Sequence, residues 1–198
     1  MITYRSYFTA MFKTPPVWFL ALALTLFCFC TKEDEKNQLA QQGKNIDSFI
    51  TSETNKAVNI NKDTVFVVIH KKETNRIVWN PQDGYAIAKG DTVVFAYIGS
   101  VFSSGRGTVF TTNLTGSEVS KAWILSIDTP DFGKNAVGVG YYVSGLDAGL
   151  LGMRVGEYAY IVFTSEYGFG NKEFSIIPKM SPLMFEVEIL EIIPNKSK

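Results

Sequence analysis

Few side chains in this sequence suit covalent or metal chemistry. The 198 residues include one histidine, His70, and two cysteines, Cys28 and Cys30, which close an apolar run near the N-terminus. No serine, cysteine or carboxylate pair stands close to His70, so it is predicted to lie at the surface and not in a proton relay. No spacing of ligand residues is typical of a metal site, and we expect neither a metal nor a cofactor. Aromatic residues make up 14% of the chain, which favours binding in an apolar pocket.

Glycines cluster in the segment VSGLDAGLLGMRVGEYAYIVFTSEYGFG, residues 143–170. Gly145, Gly149 and Gly152 fall in and around one short apolar helix, where each glycine costs about 1 kcal/mol relative to alanine. The segment is too short for a membrane dimer motif and contains Asp147, and it lacks the G-K-[ST] of a phosphate loop. We therefore predict that this helix lies close against a strongly curved sheet, where small residues let two backbones approach.

Strands dominate the other predicted elements. Alternation and β-branched residues predict strands at DTVFVVIHKK, TVVFAYIGS, TVFTT, EYAYIVFT and PLMFEVEILEII, a glycine-interrupted strand at NAVGVGYYV, and a short strand or helix at KAWILSI. Because these strands do not alternate with helices, their order indicates an α+β fold with an antiparallel sheet.

Several of these blocks, taken in order, resemble the FK506-binding (FKBP) type of peptidyl-prolyl isomerase. The blocks are GDTVVFAYIG followed by VF, then VGVGYYVSGLDAGLLGMRVGEYAYIVFTSEYGFG, then IIP and LMFEVEIL. The family has a G-x-x-V-x-v-x-Y-x-G strand, a glycine-bounded helix ending in M-x-x-G, a Y-[GA]-Y-G turn, an I-I-P segment and a final F-x-V-E-L strand. The resemblance implies an antiparallel, curved sheet of five or six strands wrapped around one short helix, with an apolar pocket between them.

The resemblance also implies which residues line that pocket. The catalytic positions are Tyr97, Phe110, Val143, Leu146, Phe169, Ile177 and Phe185, and the substrate-binding positions are Tyr142, Thr111 and Ile176. Two positions depart from the family pattern. Thr111 stands where the family has an acidic residue, and Phe169 stands where it has the second tyrosine of the turn. Both departures weaken the polar contacts that the pocket can offer to a ligand, while its apolar lining is kept.

The activity that this resemblance implies is isomerisation of peptide bonds before proline, with proline-containing polypeptides as partners. Rotation about such a bond has a barrier of ~18–20 kcal/mol and takes tens of seconds or more without a catalyst. The twisted transition state is less polar than the planar amide, so a dry aromatic pocket favours it without a nucleophile or proton relay. Because of Thr111 and Phe169, a catalytically weak module that binds partner proteins or peptides is the alternative. The chain has 19 basic and 19 acidic residues and no basic tract, so no nucleic-acid partner is expected. The sequence does not indicate whether the chain is a monomer or an oligomer.

The N-terminus has the pattern of an export signal. After Pro15-Pro16, the thirteen-residue run VWFLALALTLFCF is long enough for the core of a signal peptide and shorter than the ~20 residues of a membrane-spanning helix. An apolar run that ends in Cys30 and continues in the polar TKEDEKNQ resembles a bacterial lipoprotein signal, which implies cleavage before Cys30 and lipidation of that cysteine. Phe29 departs from the small residue preferred before the cysteine. An uncleaved anchor helix and a plain secretory signal are therefore the alternatives.

This N-terminus also determines the predicted organisation and location. We expect four segments: a signal peptide over residues 1–29, a polar tether over 30–60 with a short amphipathic helix near 45–54, an FKBP-type domain over 61–193, and a tail over 194–198. Lipidation implies a membrane partner through a lipid anchor, and hence an outer-membrane lipoprotein of the bacterial cell envelope that assists protein folding there. The acidic KEDE resembles tethers that direct such lipoproteins to the cell surface.

Overall fold

The structure, a computed structural model, describes residues 17–61, 65–114 and 134–196, with side chains from residue 32 onward. The predicted segment KAWILSI lies outside these residues. The chain divides into two compact units, Met1–Asn37 and Gln38–Lys198.

One long helix, α1 (Val17–Ile60), occupies the N-terminal part of the described chain. It extends well beyond the short helix predicted near residues 45–54. Pro15 and Pro16 directly precede α1, as is common at a helix start, and no proline interrupts it. The lysine, glutamate and glutamine residues of the predicted tether are good helix formers, so the polar segment continues the helix. Among the described residues, no helix combines the length and the apolar character needed to cross a membrane.

The second unit is built on one antiparallel sheet, which has seven strands within the described residues. The strands are β1 (Val67–His70), β2 (Asn75–Val78), β3 (Thr92–Phe102), β4 (Arg106–Thr112), β5 (Lys134–Ala136), β6 (Tyr158–Phe163) and β7 (Leu183–Ile193). Their order is β1-β2-β6-β7-β3-β4, and β5 also pairs with β3. The predicted α+β class is confirmed, with a sheet somewhat larger than the five or six strands expected.

Two strands differ from the sequence prediction. β2 was not predicted because its sequence NRIV starts with two polar residues, although Arg76 is buried in the fold. The predicted strand NAVGVGYYV is reduced to β5, because the chain turns over residues 137–140 and the carboxylate of Asp147 accepts a hydrogen bond from Gly138 N–H at 2.9 Å.

The short helix α2 (Ser144–Leu150) lies on one face of the sheet, which we call the inner face. A Cβ added to Gly145 would lie 2.2 Å from Phe163 Cγ, and one added to Gly149 would lie 2.3 Å from Ile161 Cγ2. Real Cβ atoms do not approach other atoms so closely, so only glycine permits this contact with β6. The close approach predicted from the glycine spacing is confirmed.

The opposite, outer face of the sheet is covered by the part of α1 that belongs to the second unit. Ile46, Phe49 and Ile50 are buried there against strand residues that include Phe102 and Met184. Met184 and its neighbour Phe185 point to opposite faces of β7, because successive strand side chains alternate. The second unit thus starts at Gln38, inside the segment predicted as tether, whereas the domain was expected to start at residue 61.

Candidate active site

The predicted pocket residues meet on the inner face of the sheet, around the start of α2. Most of them belong to one hydrophobic cluster, in which Tyr97, Phe110, Tyr142, Leu146, Ile177 and Phe185 are buried and Val143, Phe169 and Ile176 are half-buried. Thr111 is buried beside Tyr97. The fold brings all these positions together, while their roles in catalysis and substrate binding remain predictions.

Three strands form the floor of this site around Gly99 of β3. In the sheet ladder, Gly99 lies opposite Thr111 of β4 and Phe185 of β7. A Cβ at Gly99 would lie 2.6 Å from Thr111 Cγ2 and 2.8 Å from Phe185 Cε1. The rings of Phe110 and Phe185 pack edge to face, with their centroids 5.8 Å apart, which is a favourable aromatic contact. Sequence reasoning missed Gly99, although a glycine inside a strand is a signal of such close packing.

Polar groups at this floor come from Tyr97 and Thr111. Their hydroxyl oxygens lie 3.4 Å apart, and both side chains are buried. Burial raises the pKa of the Tyr97 phenol, so this hydroxyl keeps its proton at neutral pH. Thr111 therefore retains a polar contact with Tyr97 at the position where an acidic residue was expected.

The start of α2 supplies a second wall of the site. Val143 precedes the helix in an extended conformation (φ −58°, ψ 144°), and its carbonyl accepts hydrogen bonds from the N–H groups of Leu146 and Asp147 at 3.0 Å each. Among the described residues, none of the backbone hydrogen bonds outside the helices and strands is donated by Val143 N–H. The side chain of Tyr142 points into the core, where its ring lies 5.8 Å from that of Phe95 and its oxygen accepts a hydrogen bond from the Asn135 backbone.

The loop over residues 164–182, between β6 and β7, supplies the third wall. It begins with a 3-10 helix, Ser165–Tyr167. The ring of Phe169 stacks on that of Phe174, with centroids 4.9 Å apart and an interplanar angle of 9°. Phe174 and Ile177 exchange backbone hydrogen bonds of 3.0 and 2.9 Å, which form a tight turn that buries the Ile177 side chain. Phe174, which is 43% exposed, was not among the predicted residues.

Comparison with known proteins decides the family. The sequence model described as FKBP-type peptidyl-prolyl cis-trans isomerase matches residues 84–190. The chain belongs to this family. FK506-binding protein 1A of Emericella nidulans is 34% identical over 122 residues, which cover 61% of this chain and 96% of that protein. A peptidyl-prolyl cis-trans isomerase of Schizosaccharomyces pombe is 35% identical over 106 residues, which cover 49% of this chain and 95% of that protein.

A solved structure with the same fold is the crystal structure of the three FKBP domains of wheat FKBP73. It matches with a TM-score of 0.50 and 22% sequence identity, over 67% of this chain and 52% of that chain. At this identity, the match concerns the fold alone, and it agrees with the antiparallel sheet described above. The sequence relatives named here are fungal, so the family assignment does not extend to the predicted bacterial lipoprotein form.

In this FKBP-type chain, two cations hold the C-terminal end of α2. Lys71 Nζ donates hydrogen bonds to the carbonyls of Ala148 (2.8 Å) and Leu151 (3.1 Å), and the guanidinium of Arg76 donates to those of Gly149 and Leu151. Burial lowers the pKa of Arg76 to about 10 and also lowers that of Lys71. Both groups satisfy carbonyls that a helix end leaves without partners, and their positive charge suits that end. Sequence reasoning missed both residues, because nothing local links them to a helix more than seventy residues away.

The start of α2 is fixed from its other side by Asp147. Its carboxylate accepts hydrogen bonds from the backbone N–H groups of Gly138 and Gly140 and so holds the turn that precedes the helix. Burial raises the pKa of Asp147, although the two amide donors act in the opposite direction.

One further residue considered in the sequence, His70, lies outside this site. His70 is exposed at the end of β1, where its Nδ1 lies 2.6 Å from Asn75 Oδ1. Cys30 falls within the range of α1, but its side chain lies outside the described part of the chain, so its lipidation remains a prediction.

Proposed function

We propose that this chain catalyses the cis–trans isomerisation of X–Pro peptide bonds by removing the bond from water in the apolar site on the inner face of the sheet. The observation that carries the proposal is the convergence of three aromatic strand residues, Tyr97, Phe110 and Phe185, with Leu146 of α2. A proline ring seated against these side chains would replace water with hydrocarbon and aromatic surface. The half-buried Val143, Phe169 and Ile176 would form the entrance.

The mechanism needs no bond to be made or broken except the partial double bond of the amide, which loses its resonance as it twists. In water, the planar amide is stabilised by hydrogen bonds to its carbonyl, and the twisted form gains less from them. A site that excludes water therefore favours the twisted form relative to the planar one, which is how binding energy becomes rate acceleration. In this mechanism, Val143 N–H would bind a substrate carbonyl and so orient the chain next to the rotating bond.

A proline peptide with a leucine before the proline provides the test, with the full-length chain as catalyst. We expect acceleration of exchange by the wild type and its loss in Phe185→Ala. Met184→Ala is the matched control, because Met184 is the next residue of β7, is equally buried, and faces the outer side. Circular dichroism must show that both variants are folded. Equal losses in the two variants would mean that the site does not lie on the inner face.

A binding module without useful catalysis is the second candidate. Thr111 and Phe169 favour it, because both lack the polar groups that the family places in the pocket. This candidate is supported if the wild type binds the proline peptide in a fluorescence or calorimetric titration and does not accelerate its isomerisation.

The proposed location is the bacterial cell envelope, with export, cleavage before Cys30 and lipidation of that cysteine. Support comes from the apolar run of residues 17–29 and the polar segment after it. One acyl chain holds a protein at a membrane only marginally, so stable attachment requires several. Cys30→Ser should move the protein from the membrane fraction to the soluble fraction, whereas the control Cys28→Ser should not. Retention of Cys30→Ser in the membrane with residues 1–29 intact would indicate an uncleaved anchor.

A further inference from the structure

One polar side chain of α1 reaches the loop that forms the third wall of the site. Gln42 is only 6% exposed, although the helix residues on either side of it face solvent more. Its side-chain Nε2 donates a hydrogen bond to the carbonyl of Met180, and its Oε1 accepts one from Ser165 N–H, both at 2.8 Å. Both polar atoms of this buried amide are therefore satisfied by backbone groups of the loop over residues 164–182.

These two bonds complete a closed ring at the base of the loop. The carbonyl of Ser165 accepts from Gly170 N–H at 2.8 Å, and the carbonyl of Gly170 accepts from Met180 N–H at 2.9 Å. Gln42 closes the ring between Met180 and Ser165. Without the Gln42 amide, Ser165 N–H and the Met180 carbonyl would be buried next to apolar atoms, where an unpaired polar group is costly.

The loop above this ring carries Phe169, Ile176 and Ile177, which belong to the candidate site. Met180 adopts a φ of +57°, a conformation that a residue with a side chain seldom takes unless neighbouring contacts hold it. Its N–H and its carbonyl are both used in the ring. The ring thus fixes both ends of the loop, and the loop fixes the pocket wall.

We propose that Gln42 is a positioning residue for substrate binding. Through Gln42, α1 holds the loop that forms the third wall of the site, in addition to covering the outer face of the sheet. The proposal rests on the isomerase function proposed above, since the loop matters to catalysis only if its wall contacts substrate. Gln42 touches no substrate itself. It sets the position of Phe169 and Ile176 at the entrance, and its loss should weaken binding of the peptide more than it slows the bound peptide's rotation.

The test compares three substitutions in the full-length chain. Gln42→Leu keeps the size of the side chain and removes both hydrogen bonds. Gln41→Leu is the surface control, because the Gln41 amide is exposed and donates a hydrogen bond to Asn45 of the same helix. Ile46→Ala is the stability control, because Ile46 is fully buried against the outer face and its apolar side chain makes none of the ring's hydrogen bonds. Each variant is assayed with the proline peptide well below its melting temperature.

We expect Gln42→Leu to raise KM about five- to tenfold with little change in kcat, while both controls keep the KM of the wild type. Hydrogen exchange at the Ser165, Gly170 and Met180 amides should speed up in Gln42→Leu and stay slow in Ile46→Ala. A KM that rises equally in Ile46→Ala would reduce Gln42 to a general stabilising residue and overturn the proposal. Unchanged KM and unchanged exchange in Gln42→Leu would overturn it as well.

Gln42→Glu adds a readout that a general loss of stability cannot imitate. A carboxylate can still accept from Ser165 N–H but cannot donate to the Met180 carbonyl, whereas a protonated carboxyl can do both. We expect the KM of Gln42→Glu to be raised at about pH 8 and to return toward the wild-type value at about pH 5, because burial raises the pKa of a carboxyl. A KM that stays raised at both pH values would count against the role of the donor. If the wild type shows no catalysis at all, the proposed function fails, and the exchange experiment still tests the ring.

Discussion

At the scale of single residues, the site is rich in apolar contacts and poor in polar ones. The buried hydroxyls of Tyr97 and Thr111 lie together at its floor, and the half-buried Val143 lies at its wall. Phe169 has a ring without a hydroxyl at the entrance, stacked on the exposed ring of Phe174. Such a site can seat a proline ring and exclude water, but it has few groups that fix the orientation of a peptide carbonyl.

Adding polar groups at two positions should therefore improve catalysis. We expect Phe169→Tyr and Thr111→Asp, alone or together, to raise kcat/KM for a proline peptide several-fold, since one added hydrogen bond contributes about 0.5–1.5 kcal/mol. The measurement is a coupled isomerisation assay at neutral pH. Phe174→Tyr is the control for Phe169→Tyr, because it adds the same hydroxyl to the exposed partner of the same stack. Equal gains from Phe169→Tyr and Phe174→Tyr would show that the hydroxyl acts outside the pocket.

At the scale of elements, α2 is held by three different kinds of contact. Gly145 and Gly149 let it lie directly on β6, Asp147 fixes the turn before it, and the cations Lys71 and Arg76 bind the carbonyls at its end. A helix of two turns has little stability of its own, so these tertiary contacts decide its position. The position of Leu146 and Val143 in the site follows from them.

Two glycine-to-alanine substitutions should have opposite effects on stability. Gly149→Ala places a methyl group 2.3 Å from Ile161 Cγ2, and we expect it to lower the free energy of unfolding by about 1–3 kcal/mol. Gly43→Ala is the matched change in α1, where the described residues place no atom within 4 Å of the new Cβ apart from its chain neighbours and the nearby helix backbone. It should raise that free energy by about 0.5–1 kcal/mol. Urea unfolding of the two variants measures both. A neutral Gly149→Ala would mean that α2 can move away from β6 without cost.

The raised pKa of Asp147 predicts a pH effect with a definite sign. Because the fold favours the protonated carboxyl, its contribution to stability is fully present below about pH 3.9 and is lost as the pH rises through the raised pKa. Asp147→Asn does not titrate, so the stability of the wild type relative to this variant should fall as the pH rises from about 3 to 7. Denaturant unfolding of both proteins across this range measures the difference, in which the other carboxylates cancel. A difference that grows with pH would show that the two amide donors outweigh burial.

The sequence predicted the features that depend on residues close together in the chain, and it missed those that depend on distant partners. Alternation along β3, β6 and β7 is a local pattern, and it identified these strands and the face of β7 that carries Phe185. The pocket residues followed from a family resemblance that spans several ordered blocks. β2, Gln42 and the pair Lys71 and Arg76 could not be predicted, because each is explained by a partner far away in the chain. The length of α1 could not be predicted either, since a polar segment of good helix formers shows no apolar face until the outer side of the sheet is known.

At the scale of the whole second unit, both faces of the sheet are used. The inner face carries α2 and the candidate site, and the outer face carries α1, with Ile46, Phe49 and Ile50 buried on it. Without α1, apolar residues of four strands would be exposed on that face, namely Ile77, Phe102, Val162 and Met184. Exposed apolar patches of this kind promote association between chains.

The boundary of the folded unit can therefore be tested by truncation. A chain that begins at Asn61 keeps every strand of the sheet and loses α1, whereas a chain that begins at Gln38 keeps the strands and the part of α1 that packs on the sheet. Full burial of each apolar side chain such as Ile46, Phe49 or Ile50 contributes about 1.5–3 kcal/mol, offset in part by the entropy of ordering the helix. We expect the chain from Asn61 to melt roughly 10 °C lower than the chain from Gln38 and to bind a hydrophobic dye that the longer chain does not bind. Equal melting temperatures and equal dye binding would show that α1 is a dispensable tether and that the folded domain starts after it.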